Sequence, residues 1–317
     1  MSQMTYADAG KAALAESMRA DPTIWAVGED LGRGGVFGQY MGMEEEFGPE
    51  RIVSAPISEA AIMGSAVGGA LTGTRPVVEL RFADFALCAV DEMVNQAAKA
   101  RYMFGGQAKV PVVIRQPSGM WRSSAAQHSQ MLEAWYAHIP GMVVVMPSTP
   151  ADNYGLLKAA IKCDDPVVYM EHKDLWSLKG EVPSGHTVEI GKASLVVEGS
   201  DVTVVTWSNT RHVATEAMSA LADVSVELID LRSLWPWDRD CVLTSAAKTG
   251  HLLVAHEAVR DGGFGAEVVA TAVEEIPGLK VARLGAPRIP IPYAPSLEDT
   301  VRVTAENIAA AVTRLAG

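Results

Sequence analysis

Residues 51–75 read Arg51-Ile-Val-Ser-Ala-Pro56-Ile-Ser-Glu59-Ala-Ala-Ile-Met-Gly64-Ser-Ala-Val-Gly68-Gly-Ala-Leu71-Thr-Gly-Thr-Arg75. Ile52 and Val53 read as the end of a buried strand, and Pro56 breaks it. From Glu59 to Leu71 the chain is almost free of charge and bulk, which predicts a helix. Ala60, Gly64 and Gly68 lie four apart and therefore share one helix face. A glycine in a helix interior costs about 1 kcal/mol. Keeping two there implies that another backbone, or a ligand, comes close. Glu59 sits in the first turn. It is either a carboxylate that compensates the helix dipole or a buried acid that hydrogen-bonds a cofactor. The stretch alone leaves both readings open.

Outward from this stretch, strands and helices alternate. Strands are expected at residues 24–27, 77–80, 110–115, 142–146 and 167–170. Helices are expected over 4–19, 90–103 and from Thr149-Pro150 to about 163, the last opening on a cap and an N-terminal proline. Residues 179–192, rich in Gly, Pro and charge, read as a linker. A second series follows, with strands at 202–206, 224–230, 252–255 and 281–284 and a final helix over 304–315. This pattern predicts an α/β fold with largely parallel sheets. The domains are expected at 1–180 and 196–317, joined by a linker at 181–195. The glycine-rich loop Gly32-Arg33-Gly34-Gly35 lacks the context of a phosphate-binding loop and reads as a plain flexible loop.

The 317-residue chain is 49% hydrophobic and 20% charged, with a formal net charge of -12. That acidity argues against nucleic acid or an anionic membrane as partner. Cys88, Cys163 and Cys241 match no zinc spacing and suggest a reducing compartment. No signal peptide is recognised, and no apolar run nears the roughly 20 residues that span a bilayer. A bacterial cytoplasmic protein is expected.

In open parallel sheets, ligands gather beyond the carboxyl ends of the strands. Glu59, Phe85 and His128 each follow such an end: a carboxylate, an aromatic face and an imidazole, suited to a flat heterocycle and a reacting carbonyl. Taken singly, Phe85 also reads as core and His128 as a surface loop residue. His256-Glu257 reads as structural. There is no Ser-His-Asp order, no HExxH and no metal-ligand cluster of Cys or His.

Several ordered motifs together resemble a known family. They are Ala55-Pro-Ile-Ser-Glu59 with Gly64 and Gly68, Phe82-Ala-Asp-Phe85, Gly105-Gly106, Arg115-Gln-Pro-Ser-Gly119, Gln127-His-Ser-Gln130, Pro147-Ser-Thr-Pro150 and Ile291-Pro-Tyr293. The chain resembles, over its whole length, the β subunit of the thiamine-diphosphate-dependent component of 2-oxo acid dehydrogenase complexes. The resemblance implies a pyrimidine-binding domain followed by a transketolase C-terminal domain. It implies that Glu59 hydrogen-bonds the aminopyrimidine ring nitrogen of thiamine diphosphate, promoting the tautomer that deprotonates the thiazolium carbon. Such a carboxyl group holds or shares a proton, which burial favours, with the small-residue helix as its apolar wall. Phe85 would stack on the pyrimidine, Glu29 and Ile57 would line its pocket, and His128 would aid substrate binding and acyl transfer to a lipoyl group. Backbone carbonyls of Val112, Ala160, Ile161, Cys163 and Asp165 would hold a monovalent cation such as potassium.

One motif of the thiamine enzymes is missing. Diphosphate and magnesium are bound by Gly-Asp-Gly followed later by Asn, and Asp261-Gly262-Gly263 has the wrong order. The resemblance therefore implies that a separate α subunit carries the magnesium and diphosphate half, in a heterotetramer of two α and two β chains that serves a lipoyl acyltransferase core. A non-catalytic scaffold of the same fold and a single-chain transketolase-like enzyme are the rivals. The stretches at 101–106 and 179–183 look closer to pyruvate and acetoin enzymes than to branched-chain ones.

Overall fold

The structure is a computed structural model that describes residues 1–35 and 37–317. The chain divides into two compact units, Met1–Ser118 with Trp135–Ile190, and Gly119–Ala134 with Gly191–Gly317. The segment Gly119–Ala134, expected with the first domain, thus groups with the second unit.

The first unit begins with β1 (Ser2–Thr5) and α1 (Tyr6–Ala20). Thr5 caps α1 through its side-chain oxygen, which accepts from the Asp8 amide, so the helix starts after residue 4 rather than at it. There follow β2 (Ile24–Glu29), α2 (Met43–Phe47), β3 (Ile52–Ala55), α3 (Glu59–Leu71), β4 (Arg75–Glu79), α4 (Ala98–Met103) and β5 (Val113–Ser118). The helix expected over 90–103 forms, with its ladder widened to a π-helical stretch at Glu92–Ala97 before α4, and a 3-10 turn spans Phe85–Ala89 just ahead of it. After the excursion into the second unit, the chain returns along α5 (Glu133–Ala137) and continues as β6 (Val143–Val145), α6 (Pro150–Lys162), β7 (Val167–His172) and β8 (Lys179–Val182). Thr149 and Pro150 start α6 in the expected places.

Within this unit the sheet order is β6-β7-β5-β4-β2-β3, and every pairing in it is parallel. β1 pairs antiparallel with β8, so the first part of the expected linker is a strand. Its partner lies more than a hundred residues away, which local composition does not reveal. The core forms where Ala9, Ala13, Leu14 and Met18 of α1 and Leu156, Leu157 and Ala160 of α6 meet the sheet residues Val113, Val145 and Val167. These strands are buried on both faces, as crossover helices require.

The second unit holds β9 (Ser194–Val197), β10 (Val202–Thr206), α7 (Thr210–Ala217), β11 (Val226–Asp230), β12 (Ser233–Trp235), α8 (Arg239–Thr249), β13 (His251–Val259), α9 (Gly265–Glu275), β14 (Lys280–Ala286), α10 (Pro295–Val301) and α11 (Ala305–Ala316). Its sheet runs β14-β13-β10-β11-β9. The pairings are parallel except β9 on β11. Val202, Val204, Leu253 and Ala255 of the sheet pack with Ile308, Ala311 and Val312 of α11. No helix among the described residues is long and apolar enough to cross a membrane.

Candidate functional site

The carboxyl ends of β2, β3 and β4 carry the acidic side of the site. Glu29 closes β2 opposite Ala55, the end of β3. Pro56 ends the β3 ladder, and the Ser58 hydroxyl donates to the Pro56 carbonyl at 2.9 Å. α3 then opens on Glu59 itself. Glu29 is 8% exposed. Burial raises its carboxyl pKa, Arg81 lowers it, and Glu59 and Asp30 raise it again. Arg81 reaches both Glu29 and Asp30 at 3.4 Å. The structure therefore brings Glu29 within electrostatic reach of Glu59, and the Arg81 guanidinium is shared between Glu29 and Asp30. The 3-10 turn that begins at Phe85 packs against α3. Phe85 is half-buried and meets Phe82 edge-on, with centroids 5.5 Å apart. Ile57, expected to line the pocket, is 73% exposed.

α3 leaves both of its singled-out features partly open. Glu59 is half-buried in this chain, and the face carrying Ala60, Gly64 and Gly68 is open. A Cβ at Gly64 would meet only the Glu92 side chain, at 3.8 Å, and one at Gly68 would meet nothing within 4 Å. Among the described residues, no backbone outside α3 comes within 4 Å of a Cβ built at Gly64 or Gly68. The reason is competition for burial: Ile62, Met63, Ala66, Val67 and Ala70 carry more apolar area and take the core side. The apolar wall behind Glu59 is not formed by this helix alone.

Beneath the acidic edge lies a buried ionic cluster that the sequence reading did not single out. Glu79 ends β4 in register with Arg115 of β5. Arg115, fully buried, pairs with Glu79 at 3.3 Å and with Glu171 at 2.7 Å. Tyr40 donates its hydroxyl proton to Glu79 at 3.1 Å. Two carboxylates thus share one guanidinium in a dry site. Burial pushes the Glu79 carboxyl up to about 7, against the pull of Arg115, with Glu171 adding to the rise. Arg115 stays protonated because the two carboxylates outweigh the cost of its burial. Asn153 steadies Glu171 at 3.0 Å, and the Tyr169 hydroxyl donates to Asn153 Oδ1 at 2.8 Å. Gly28 is required above this cluster, since a Cβ there would stand 2.6 Å from the Glu79 carbonyl oxygen. A charged residue directly after the β-branched run Val112–Ile114 of a central strand was the available signal.

His128 belongs to the other unit. It is half-buried, and its amide donates to the Ala125 carbonyl at 3.3 Å. Arg122, Ser123 and Ala125, just before it, all have left-handed backbone, with φ of 47°, 56° and 62°. Such conformations cost about 1–2 kcal/mol each for L-residues and persist where the surroundings hold them. The Met120 amide donates to Glu257 Oε1 at 2.6 Å. Trp207 Nε1 donates to Glu133 Oε1 at 3.2 Å. His256-Glu257, read as structural, thus includes a direct anchor for the segment that carries His128.

Four of the five expected cation carbonyls already accept hydrogen bonds. Arg75 Nη1 donates to the carbonyls of Ile161 and Cys163, each at 3.1 Å. The Val112 carbonyl accepts from the Val167 amide at 2.9 Å, and that of Ala160 accepts from the Cys163 amide at 3.1 Å. Asp165 pairs through its side chain with Arg101 at 3.1 Å. A guanidinium facing two of the five carbonyls opposes a second cation there, so the set does not fit a monovalent ion as it stands. Among the described residues, no group of three His, Cys, Asp or Glu side chains is placed to hold a metal.

Comparison with known proteins agrees with this architecture. Residues 2–177 match the family described as "Transketolase, pyrimidine binding domain", and residues 191–308 match "Transketolase, C-terminal domain". The chain is 41% identical to the 2-oxoisovalerate dehydrogenase subunit beta of Bacillus subtilis, covering 100% of this chain and 99% of that one. It is 41% identical to the acetoin:2,6-dichlorophenolindophenol oxidoreductase subunit beta of Cupriavidus necator, covering 95% and 94%. It is 39% identical to a mitochondrial pyruvate dehydrogenase E1 component subunit beta of Oryza sativa, covering 98% and 86%. These identities do not separate branched-chain from acetoin and pyruvate relatives. Among solved structures, one described as "Split gene transketolase, inactive beta4 tetramer" superposes with a TM-score of 0.80 at 24% identity over 98% of both chains, a likeness of fold. With two transketolase domains in order and about 40% identity along its length, the chain belongs to the family of β subunits of 2-oxo acid and acetoin dehydrogenases.

Proposed function

We propose that this chain is the β subunit of a thiamine-diphosphate-dependent dehydrogenase that cleaves a 2-oxo acid or acetoin next to its carbonyl and passes the acyl group to a lipoyl carrier. The observation that carries this is Glu59 in the first turn of α3, within electrostatic reach of Glu29, on a helix that packs against the turn beginning at Phe85, in a chain of this family. When bound, the thiazolium of thiamine diphosphate takes up the electrons released as the bond next to the carbonyl breaks. Glu59 then holds a proton at the pyrimidine ring nitrogen, Phe85 offers its ring face to the pyrimidine, and Glu29 supports the acidic edge with Arg81. His128 acts later, at the acyl group and its lipoyl acceptor. Two features of this chain suit the cofactor: Glu29 is a carboxyl kept from water, and the face at Gly64 and Gly68 is open apart from the Glu92 side chain.

The diphosphate and its magnesium belong, in this reading, to an α subunit, in a complex of two α and two β chains attached to a lipoyl acyltransferase core. The three free cysteines suit a reducing bacterial cytoplasm. The energetics make the partner dependence testable. Stacking on Phe85 adds about 1 kcal/mol beyond area burial. One charge-assisted hydrogen bond between Glu59 and the pyrimidine adds about 1.5–3 kcal/mol. A micromolar site needs about 8 kcal/mol. The purified chain should therefore bind thiamine diphosphate weakly in calorimetry and show no decarboxylation, and adding the α subunit should restore both. Micromolar binding to the lone chain would sink the division of the site.

A further inference from the structure

The segment Gly119–Ala134 leaves the first unit's sheet at Ser118 and groups with the second unit. It holds three left-handed non-glycine residues within four positions, and such backbone is kept only where neighbours over-determine it. Two attachments frame it. Near its start, the buried Met120 amide donates to the carboxylate of Glu257, in β13. At its end, the fully buried Glu133 accepts from the indole of Trp207, which directly follows β10. β10 and β13 are neighbours in the sheet, so both ends of the segment are tied to the carboxyl edge of one strand pair. His128 lies between the two ties.

The Trp207 anchor is itself fixed. Its ring stacks on His256, with centroids 5.1 Å apart and planes 19° apart, and meets Phe264 edge-on at 6.2 Å. His256 Nδ1 lies 3.1 Å from the Ala258 carbonyl, so the proton belongs on that nitrogen. Gly263 and Gly265 leave space for the imidazole, because a Cβ at either would come within 2.6 Å or 3.0 Å of the ring. Substituted glycines would push the imidazole, and with it the indole that holds Glu133.

We propose that Glu257 and Trp207 are positioning residues for His128, clamping the two ends of a strained segment so that the imidazole is fixed for acyl transfer. This rests on the role given to His128 above. A misplacement of about 1 Å by a remote change can cost 100-fold in rate.

The test uses the chain assembled with its α subunit. Trp207→Phe keeps the ring on His256 and removes the N–H. Glu257→Ala removes the carboxylate, and Glu257→Gln keeps an acceptor oxygen. Two rates are read: deuterium exchange at the thiazolium carbon, and reductive acylation of a lipoyl domain. Trp207→Phe and Glu257→Ala should slow acylation by about 10–100-fold while exchange stays within about twofold. Glu257→Gln should acylate near the wild-type rate. His128→Ala should lose acylation comparably, and Glu257→Ala should add little in its background, since coupled groups are non-additive. Wild-type acylation in Trp207→Phe and Glu257→Ala, with His128→Ala slow, overturns the clamp alone. Wild-type acylation in His128→Ala overturns the role of the histidine. Equal losses in both rates make the anchors merely structural and also overturn the proposal. If Glu257→Ala fails to assemble, Trp207→Phe decides by the same split.

Discussion

Replacing Glu79 by Gln should change how stability depends on pH more than it changes stability itself. Glu79 shares Arg115 with Glu171 in a fully buried site, and its carboxyl is displaced from an ordinary 4.5 to about 7, chiefly by burial. Between those values the folded chain keeps a proton on Glu79 that the unfolded chain has released. Stability then falls as pH rises, because its slope follows protons bound unfolded minus protons bound folded. At about 1.4 kcal/mol per pH unit, the window amounts to about 3 kcal/mol, fully present below the unfolded value and lost by about pH 7. His256 works in the opposite sense. Burial pushes its imidazole from 6.5 down to about 4, so the unfolded chain holds the extra proton there and stability rises with pH across that interval. The two contributions oppose each other over about pH 4.5–6.5. Glu79→Gln keeps a carbonyl oxygen for Arg115 and Tyr40 but cannot ionise. Urea denaturation of wild type and variant, repeated from about pH 4.5 to about pH 8, should give a difference that grows in favour of the variant by about 3 kcal/mol. Carboxylates whose pKa is lowered, such as Asp21, Asp164 and Asp201, lose their contribution only as pH falls further, and they cancel in the difference. A difference curve that stays flat across the window refutes a protonated Glu79.

Other changes test separate parts of the account. Glu59→Gln should leave folding and assembly intact yet slow deuterium exchange at the thiazolium carbon by orders of magnitude; unchanged exchange removes Glu59 from cofactor activation. Arg75→Met strips the guanidinium from the Ile161 and Cys163 carbonyls. Its melting temperature should drop by about 2–4 °C per kcal/mol lost, with partial recovery in potassium chloride but not in choline chloride; a wild-type chain stabilised equally by potassium would put an ion beside Arg75. Gly28→Ala drives a Cβ to 2.6 Å from the Glu79 carbonyl oxygen and should destabilise by about 1–3 kcal/mol, read as a lowered urea midpoint. An unchanged midpoint would mean that β2 and β4 separate more easily than their register suggests.

The sequence by itself determined the layer architecture, because β-branched runs alternate with helical stretches at crossover spacing and Thr149-Pro150 and Thr304 mark helix starts by local capping chemistry. It also set Glu59 at the opening of α3, since Pro56 and the residue pattern that follows it act over a few positions. Tertiary structure alone decided the rest. The pairing of β1 with β8, the Arg115 cluster with Glu79 and Glu171, the Arg75 grip on the end of α6 and the attachment of Gly119–Ala134 to the second unit all join residues distant in sequence. No local propensity encodes such contacts; they appear when burial forces each charged or polar group to find a partner wherever the fold brings one within reach. The open face of Gly64 and Gly68 shows the same limit from the other side: spacing gave the face, while competition among neighbouring side chains for the core decided that this chain leaves it uncovered.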